Sequence, residues 1–181
     1  MTPKHDPGGK VRLPLLNGTT GTAVFGGASK EYRYQLTRTW DVKKPRAMFV
    51  MMNPSTADPL VDDPTVAKCG RFARTWQYGG IYVGNTFAYR TTDQKRLIEV
   101  SDPVGPENDT HLIEMAKAAA IVIFAYGQPC HRTLRQRGPV LARLLIKEAG
   151  ITPHTLRLAK NGTPWHPLYL PETLKPFIWK L

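Results

Sequence analysis

The 181-residue sequence has little cysteine, no long apolar run and few acidic side chains. Its two cysteines, Cys69 and Cys130, are too few for a disulfide framework or a four-thiolate metal site, so we expect reduced thiols and neither a metal nor another cofactor. A bilayer-spanning helix needs about 20 apolar residues, and no run approaches that length. Residues 1–10 are polar and lack the apolar core of a signal peptide. These absences predict a cytoplasmic protein that does not enter a membrane.

The shortage of acidic residues leaves a large positive charge. The chain has 25 Lys and Arg against 14 Asp and Glu, a formal net charge of +11. Such an excess attracts nucleic acid, an anionic membrane surface or a phosphorylated small molecule, although a merely solubilising surface also explains it. No basic amphipathic helix of the membrane-binding kind accompanies the charge. We therefore expect a monomeric protein whose partner is DNA.

Composition and patterning divide the chain into two parts. Residues 1–29 are rich in Gly, Pro, Thr and Lys, which predicts a flexible N-terminal segment with at most a weak hairpin at the Asn17-Gly18 turn. Hydrophobic residues make up 41% of the sequence, enough for a substantial core in a chain of this size. Residues 30–181 are therefore predicted to form a single α/β domain.

The pattern of apolar residues predicts how that domain is built. Tyr32 to Trp40 alternate between apolar and polar, as in a half-buried edge strand. Short apolar runs follow, separated by stretches long enough for helices, at residues 47–52, 81–83, 121–126 and 155–158. Asp63 and Pro64 have the pattern of a helix N-cap and first turn. This order predicts a three-layer α/β/α fold around a central, mainly parallel sheet of four to five strands.

Polar, Gly- and Pro-containing segments follow each apolar run. Ligands of open parallel sheets bind in the crevice beyond the carboxyl ends of the strands, so we expect these segments to form one cleft with amide, carboxylate, imidazole and aromatic side chains. Plain connecting loops are the alternative, because the same residue types form turns. The segments occupy residues 53–58, 84–90, 127–132 and 161–167.

Six motifs in fixed order resemble an uncharacterised family of bacterial and phage proteins, domain of unknown function 1643 (DUF1643). The resemblance begins near residue 30 and covers most of the chain. The motifs are Tyr32 to Trp40, Met52 to Asp58, Asp62 to Thr65, Asn85 to Arg90, Asp102 to Asp109 and His166 to Tyr169.

The order of these motifs is also similar to that of the uracil-DNA glycosylase superfamily. That superfamily has a loop ending in Asp/Asn-Pro that positions the attacking water, here Asn53-Pro54, with Met51 where it has glycine. It then has an Asn that reads the flipped base, similar to Asn85, and a strand ending in Gly, similar to Gly127. A final His-Pro loop supplies an electrophilic His and a minor-groove wedge, matched by His166 and, for the wedge, Leu168. The resemblance implies N-glycosidic cleavage of a modified or deaminated base in DNA without metal.

This chemistry assigns candidate roles to residues in the predicted cleft. The reaction needs a positioned water, a group that stabilises the departing base and a pocket for the flipped nucleotide. Either Asn53 or Asp58 holds the water, and neutral His166 donates to an anionic base. The candidate substrate-binding residues are Pro54, Ser55, Asn85, Phe87, Tyr89, Gly127 and Leu168. The candidate phosphate-binding residues are Arg90, Arg132, Arg135 and Arg137.

Other readings of the sequence remain open beside the glycosylase. An enzyme acting on free nucleotides or nucleosides would use the same cleft, and a non-catalytic nucleic-acid-binding module would keep the fold without the chemistry. A metal site at Asp58, Asp62 and Asp63 is disfavoured, since Asp63 is explained as a helix cap. A thiol catalyst at Cys130 and His131 is disfavoured too, because adjacency in sequence is not the required geometry.

Overall fold

The structure is a computed structural model that describes residues 11–181. Short 3₁₀ turns cover Gln94–Ile98, Arg132–Leu134 and Pro167–Tyr169. The strands and α-helices in chain order are β1 (Leu13–Pro14), β2 (Thr20–Gly26), β3 (Tyr32–Thr39), β4 (Arg46–Met51), β5 (Val61–Asp62), α1 (Pro64–Thr75), β6 (Gly80–Asn85), α2 (Asn108–Ala118), β7 (Ile121–Phe124), α3 (Arg137–Ala149), β8 (Pro153–Thr155) and β9 (Phe177–Ile178).

Seven strands form one mixed sheet in the order β2-β3-β6-β4-β7-β8-β9. The central neighbours β6, β4, β7 and β8 are parallel, whereas β2, β3 and β9 join antiparallel. The α/β prediction is confirmed, but a mainly parallel sheet of four to five strands is wrong, because the sheet is larger and mixed. The extra strands β2 and β9 are edge strands with exposed residues, so neither needs the apolar run that marks a buried strand.

The N-terminal segment contributes to this sheet. Of the predicted flexible segment 1–29, residues 1–10 lie outside the described residues, and residues 20–26 form β2. The Asn17-Gly18 turn is present, with Gly18 at φ +76°. The hairpin, however, joins β2 to β3, while β1 pairs with β5.

Helices cover both faces of the sheet. Along β4, Ala47, Phe49 and Met51 belong to the apolar cluster that includes α1. The intervening Met48 and Val50 belong to the cluster that includes α2 and α3. This alternation is the one expected of a strand buried on both sides. None of the helices in the described part of the chain is long and apolar enough to cross a bilayer.

The start of α1 follows the sequence prediction. The Asp63 carboxylate accepts a hydrogen bond from Val66 N–H at 2.8 Å, and Pro64 is the first helical residue. At the C-terminal end of the chain, a turn and β9 follow Pro171.

An irregularity in the pairing of β2 with β3 changes the direction of the β3 side chains. Val24 pairs with Gln35, but the next residue, Phe25, pairs with Arg33. Tyr34 is therefore an extra residue in β3, a β-bulge. Bulges of this kind redirect neighbouring side chains relative to simple alternation.

The contacts on either side of the bulge show its effect. Tyr34 stacks on the His111 ring of α2 with centroids 5.0 Å apart, and the adjacent Gln35 amide lies 2.8 Å from His111 Nδ1. Two consecutive residues thus contact the same helix. Arg33, in contrast, extends to the other face, where its Nη1 donates to Ala57 O at 2.8 Å.

A second buried arginine on β3 holds the segment between β4 and α1. Arg38 donates from Nε to the Asp62 carboxylate at 2.8 Å and from Nη2 to Asp58 O and Val61 O at 2.6 and 2.9 Å. Its side chain is only 2% exposed and that of Asp62 13%. The guanidinium therefore satisfies Asp58 O and supplies a second donor to Val61 O, which also accepts from Asp58 N–H at 3.1 Å.

We expect Arg38→Met to lower the free energy of unfolding by about 3–5 kcal/mol, because it leaves the Asp62 carboxylate buried without its partner. Urea denaturation followed by tryptophan fluorescence measures the loss. The double variant Arg38→Met/Asp62→Leu should recover part of it. Lys44→Met is the control, because it breaks the exposed pair with Asp41 and should lower the free energy of unfolding by less than about 1 kcal/mol. Equal losses in Arg38→Met and Lys44→Met would contradict the stabilising role of Arg38.

Candidate functional site

The chain reverses direction across the sheet at β4. From β4 it passes through α1 to β6 on one side and then through α2 to β7 on the other side of β4. Crevices at such reversals, beyond the carboxyl ends of the strands, are where open α/β sheets bind ligands. A cavity of about 540 Å³ lies at this end of β4 and β6, and we call it the strand-end cavity. Its described lining residues are Val11, Arg33, Met51, Met52, Asn53, Ser55, Asp63, Pro64, Thr65, Val66, Val83, Asn85, Thr91, Thr92, Gln94, His166, Leu168 and Tyr169.

Asn53 follows β4 directly and is held in a defined orientation. Its Nδ2 donates to Pro54 O at 3.1 Å and to Thr91 O. Both amide protons are thereby used on carbonyl acceptors, which fixes the assignment of oxygen and nitrogen. No residue in 11–181 donates to the remaining Oδ1, so the free group of Asn53 in the cavity is an acceptor.

Asn85, the last residue of β6, has the complementary arrangement. Its Oδ1 lies 3.4 Å from Arg33 Nη2, and its backbone oxygen accepts from Asn108 Nδ2 at 3.0 Å. Its side-chain Nδ2 has no acceptor among the described residues. Asn85 is therefore oriented to present a donor to the cavity.

His166 immediately precedes the 3₁₀ turn Pro167–Tyr169, and its side chain lines the cavity. Leu168 N–H donates to its Nδ1 at 3.3 Å, so Nδ1 carries no proton and a neutral ring is protonated at Nε2. Burial lowers the pKa of His166 below its usual value, while the charge of Asp63 opposes that shift. The ring is therefore a neutral donor at pH 7.

Gly127 positions His166 without lining the cavity. Its φ of +74° and its closeness to His166 both require glycine, since an added Cβ would lie 3.0 Å from His166 Cβ. Its N–H donates to Pro164 O at 3.0 Å, which ties the end of β7 to the loop that carries His166.

Of the described residues Asp58 and Asp63, only Asp63 lines the cavity. Asp63 Oδ1 caps α1, and Oδ2 accepts no hydrogen bond from the part of the chain that the structure describes. The Asp58 side chain lies outside the lining, where Oδ1 accepts from Leu60 N–H and Val61 N–H at 2.8 and 3.0 Å. Asp58 thus shapes the loop before α1.

Arg33 brings a buried cation to the cavity wall. Only 2% of the residue is exposed. It forms no ion pair within residues 11–181, and its Nε–H is buried without an acceptor there. Burial lowers its pKa to about 10, with Asp63 acting in the opposite direction, so the guanidinium stays charged at neutral pH.

Five of the predicted site residues meet at the cavity and the others lie elsewhere. Asn53, Ser55, Asn85, His166 and Leu168 line it. Phe87 belongs to the buried apolar cluster beneath α2 and α3. Tyr89 packs edge-on against the Tyr32 ring at 6.1 Å. Pro54 contributes a backbone oxygen that accepts from Thr91 N–H at 2.9 Å.

The four predicted phosphate-binding arginines differ in their surroundings. Arg90 donates to Lys30 O and lies over the Phe25 ring. Arg137 is paired with Asp109 and donates from Nε to Thr86 O at 2.8 Å, so it braces the end of β6. Arg132 and Arg135 are both exposed, so they are the two predicted phosphate-binding arginines that a polyanion could reach at the surface.

Sequence reasoning missed several lining residues. The alternating pattern of residues 32–40 does not predict that Arg33 faces the cavity, because the bulge at Tyr34 reverses its direction. Asp63 was assigned only its capping role, although one carboxylate has a second oxygen. Tyr169 also lines the cavity and is 85% exposed, whereas the resemblance implies the wedge role only for its neighbour Leu168.

No group of three or more His, Cys, Asp or Glu side chains within the described range 11–181 is arranged to hold a metal ion. The model of a family described as proteins of unknown function, DUF1643, matches residues 33–168. The chain belongs to this family. The DUF1643 match includes every predicted site residue as well as Arg33 and Asp63. No curated protein and no solved structure matches the chain.

We expect the His166 ring to titrate below pH 6.5, because burial disfavours its charged form. Asp63→Asn should lower the pKa further, since it removes a stabilising negative charge. NMR titration of the imidazole signals, with His166→Asn to assign them, makes the measurement. A pKa at or above 6.5 in the wild-type protein would contradict the described environment.

We expect Gly127→Ala to lower the free energy of unfolding by more than about 1 kcal/mol and to shift the His166 NMR signals. Gly162→Ala is the matched control, because Gly162 has φ +80° but open space around an added Cβ. It should show the backbone cost without the His166 shift. If Gly127→Ala and Gly162→Ala shifted the His166 signals equally, Gly127 would not be the residue that positions His166.

Proposed function

We propose that the protein is a hydrolase of the uracil-DNA glycosylase type, which cleaves the N-glycosidic bond of a deaminated or otherwise modified base in DNA. One observation carries the proposal. Asn53, Asn85 and His166, which follow three different strands in the sequence, line one cavity and each leaves one polar group free for a ligand. The helices on both faces of the sheet are compatible with a uracil-DNA glycosylase-like three-layer arrangement.

The free donors suit the departing base. When the bond between C1′ of the sugar and the base nitrogen breaks, the electron pair stays on the base, which leaves as an anion. Asn85 Nδ2 and the Nε2–H of His166 donate to the carbonyl oxygens on which that negative charge collects. A neutral His166 serves this purpose without transferring its proton.

The free acceptors suit the sugar. The carbon that loses the base becomes cationic, and water adds to it and releases a proton. Asn53 Oδ1 orients the water, and the Asp63 carboxylate stabilises the cation and accepts the proton. Asp63 replaces Asp58 in this role because only Asp63 lines the cavity.

Two surface features favour DNA over a free nucleoside. The net charge of +11 attracts the phosphate backbone, with Arg132 and Arg135 exposed after β7. Tyr169 stands on the cavity rim with 85% of its surface exposed, where an aromatic ring stacks on a neighbouring base. A flipped base reaches the cavity only if such groups hold the strand around it.

The test is release of a base from oligonucleotides that carry uracil, hydroxymethyluracil or hypoxanthine, in single and double strands. We expect abasic product on at least one of them. Asp63→Asn, which keeps the helix cap, should lower the rate at least about 100-fold, and Asp58→Asn less than about tenfold. A larger loss of rate in Asp58→Asn than in Asp63→Asn would identify Asp58 as the catalytic carboxylate instead.

Absence of abasic product on every oligonucleotide would overturn the proposal. Base release from free nucleosides alone would then favour the nucleoside enzyme. Salt-dependent DNA binding without product, unchanged in Asn53→Ala and His166→Ala, would favour the binding module.

A further inference from the structure

The strand-end cavity contains a positive charge that the fold alone does not explain. Two arginines of β3, Arg33 and Arg38, are each 2% exposed. Arg38 is paired with Asp62 at 2.8 Å and also donates to the carbonyl oxygens of Thr37, Asp58 and Val61. Arg33 has one strong bond, to Ala57 O, and one long contact, to Asn85 Oδ1.

A buried cation is unfavourable unless a negative charge accompanies it. Asp63 makes the largest opposite-charge contribution to the pKa of Arg33, yet the two form no ion pair within 4.0 Å. Arg33 also retains a buried Nε–H without an acceptor in the described chain. The charge of Arg33 is thus compensated only at a distance, and Arg33 lines the cavity.

We propose that Arg33 makes the strand-end cavity selective for a planar anionic ring, the ionised nucleobase. The identification of the ring as a nucleobase rests on the proposed function. In the reaction described above, the base gains its negative charge as the glycosidic bond breaks, so the charge of Arg33 acts more strongly on the departing base than on the bound substrate.

The walls of the cavity favour a ring over a phosphate. Met51, Met52, Val66 and Val83 contribute apolar surface, which suits the faces of a planar ring. A phosphate would require several N–H donors from the start of α1. There Pro64 has none, and the first-turn N–H of Val66 already bonds to Asp63.

The experiment measures binding, so that it does not depend on turnover. The probe is 5-nitrouracil, whose ring ionises below neutral pH, and uracil, neutral at pH 7, is the comparison. Calorimetry across pH 5 to 8 should show that the wild-type protein binds 5-nitrouracil more tightly as the probe ionises, whereas uracil affinity stays level. A wild-type protein without that preference overturns the proposal.

The variants assign the preference to Arg33. Arg33→Gln should reduce the affinity for ionised 5-nitrouracil roughly ten- to hundredfold, the range for losing a hydrogen bond to a charged group, and leave uracil affinity within about threefold. Arg33→Lys keeps the charge without the planar fork and should retain part of the preference. Arg46→Gln is the control, because it removes a part-buried positive charge that bonds Thr39 and Tyr82 outside the cavity lining and away from the loop. It should keep the full preference.

Circular dichroism shows which variants are folded. If Arg33→Gln does not fold, Arg33→Lys decides, since unchanged affinity for the ionised probe in a folded Arg33→Lys would overturn the proposal. Inorganic phosphate that displaces 5-nitrouracil at equal concentration would also overturn it, because the site would then bind oxyanions in general.

These outcomes separate the inference from the proposed function. Preference for the ionised probe, lost in Arg33→Gln, together with no base release from any oligonucleotide, would keep the inference and overturn the glycosylase. Base release by a protein that does not prefer the ionised probe would support the glycosylase and overturn the inference about Arg33.

Discussion

The hydrogen bonds from two buried guanidinium groups of β3 to the segment between β4 and α1 hold the rest of the site in place. This segment leaves the sheet after β4, and its carbonyls need donors from elsewhere. Arg33 supplies one to Ala57 O, and Arg38 supplies two more near Asp62. Because the segment carries Asn53 at one end and Asp63 at the other, the same contacts determine where both side chains meet the cavity.

The two arginines are equally buried and differ in how their charge is compensated. Arg38 is compensated by direct contact with a carboxylate, so its desolvation is offset within the fold. Arg33 is equally buried, yet its compensation by Asp63 acts through space, and its donors are incompletely used. An arrangement in which a cation and an anion line the same cavity without touching suits a reaction that separates charge between a departing base and a sugar.

The sequence predicted the parts of this arrangement that depend on local chemistry. Buried parallel strands need apolar runs, so β4, β6 and β7 were recognisable, and polar residues at their ends identified Asn53 and Asn85 as neighbours. Arg33 was missed because its direction depends on a bulge that only the pairing with β2 reveals. The sequence indicates Asp63 as a helix cap and offers Asp58 as the candidate carboxylate, and only the fold shows that Asp63 lines the cavity with one oxygen left for a ligand.

The net charge and the cavity act at different ranges. Exposed charges such as those of Arg132 and Arg135 are screened beyond roughly 10 Å at moderate salt. In the proposed DNA complex they would attract the phosphate backbone without distinguishing one base from another. Part of the remaining charge is already used within the fold, as the pairing of Arg137 with Asp109 shows. Selectivity must therefore come from groups that water does not screen. Among the described residues, those groups are the buried Arg33 and the oriented side chains of Asn53, Asn85 and His166 in the same cavity. In the proposed reaction they would recognise the base, and the bond from Arg33 to Ala57 O also holds the loop.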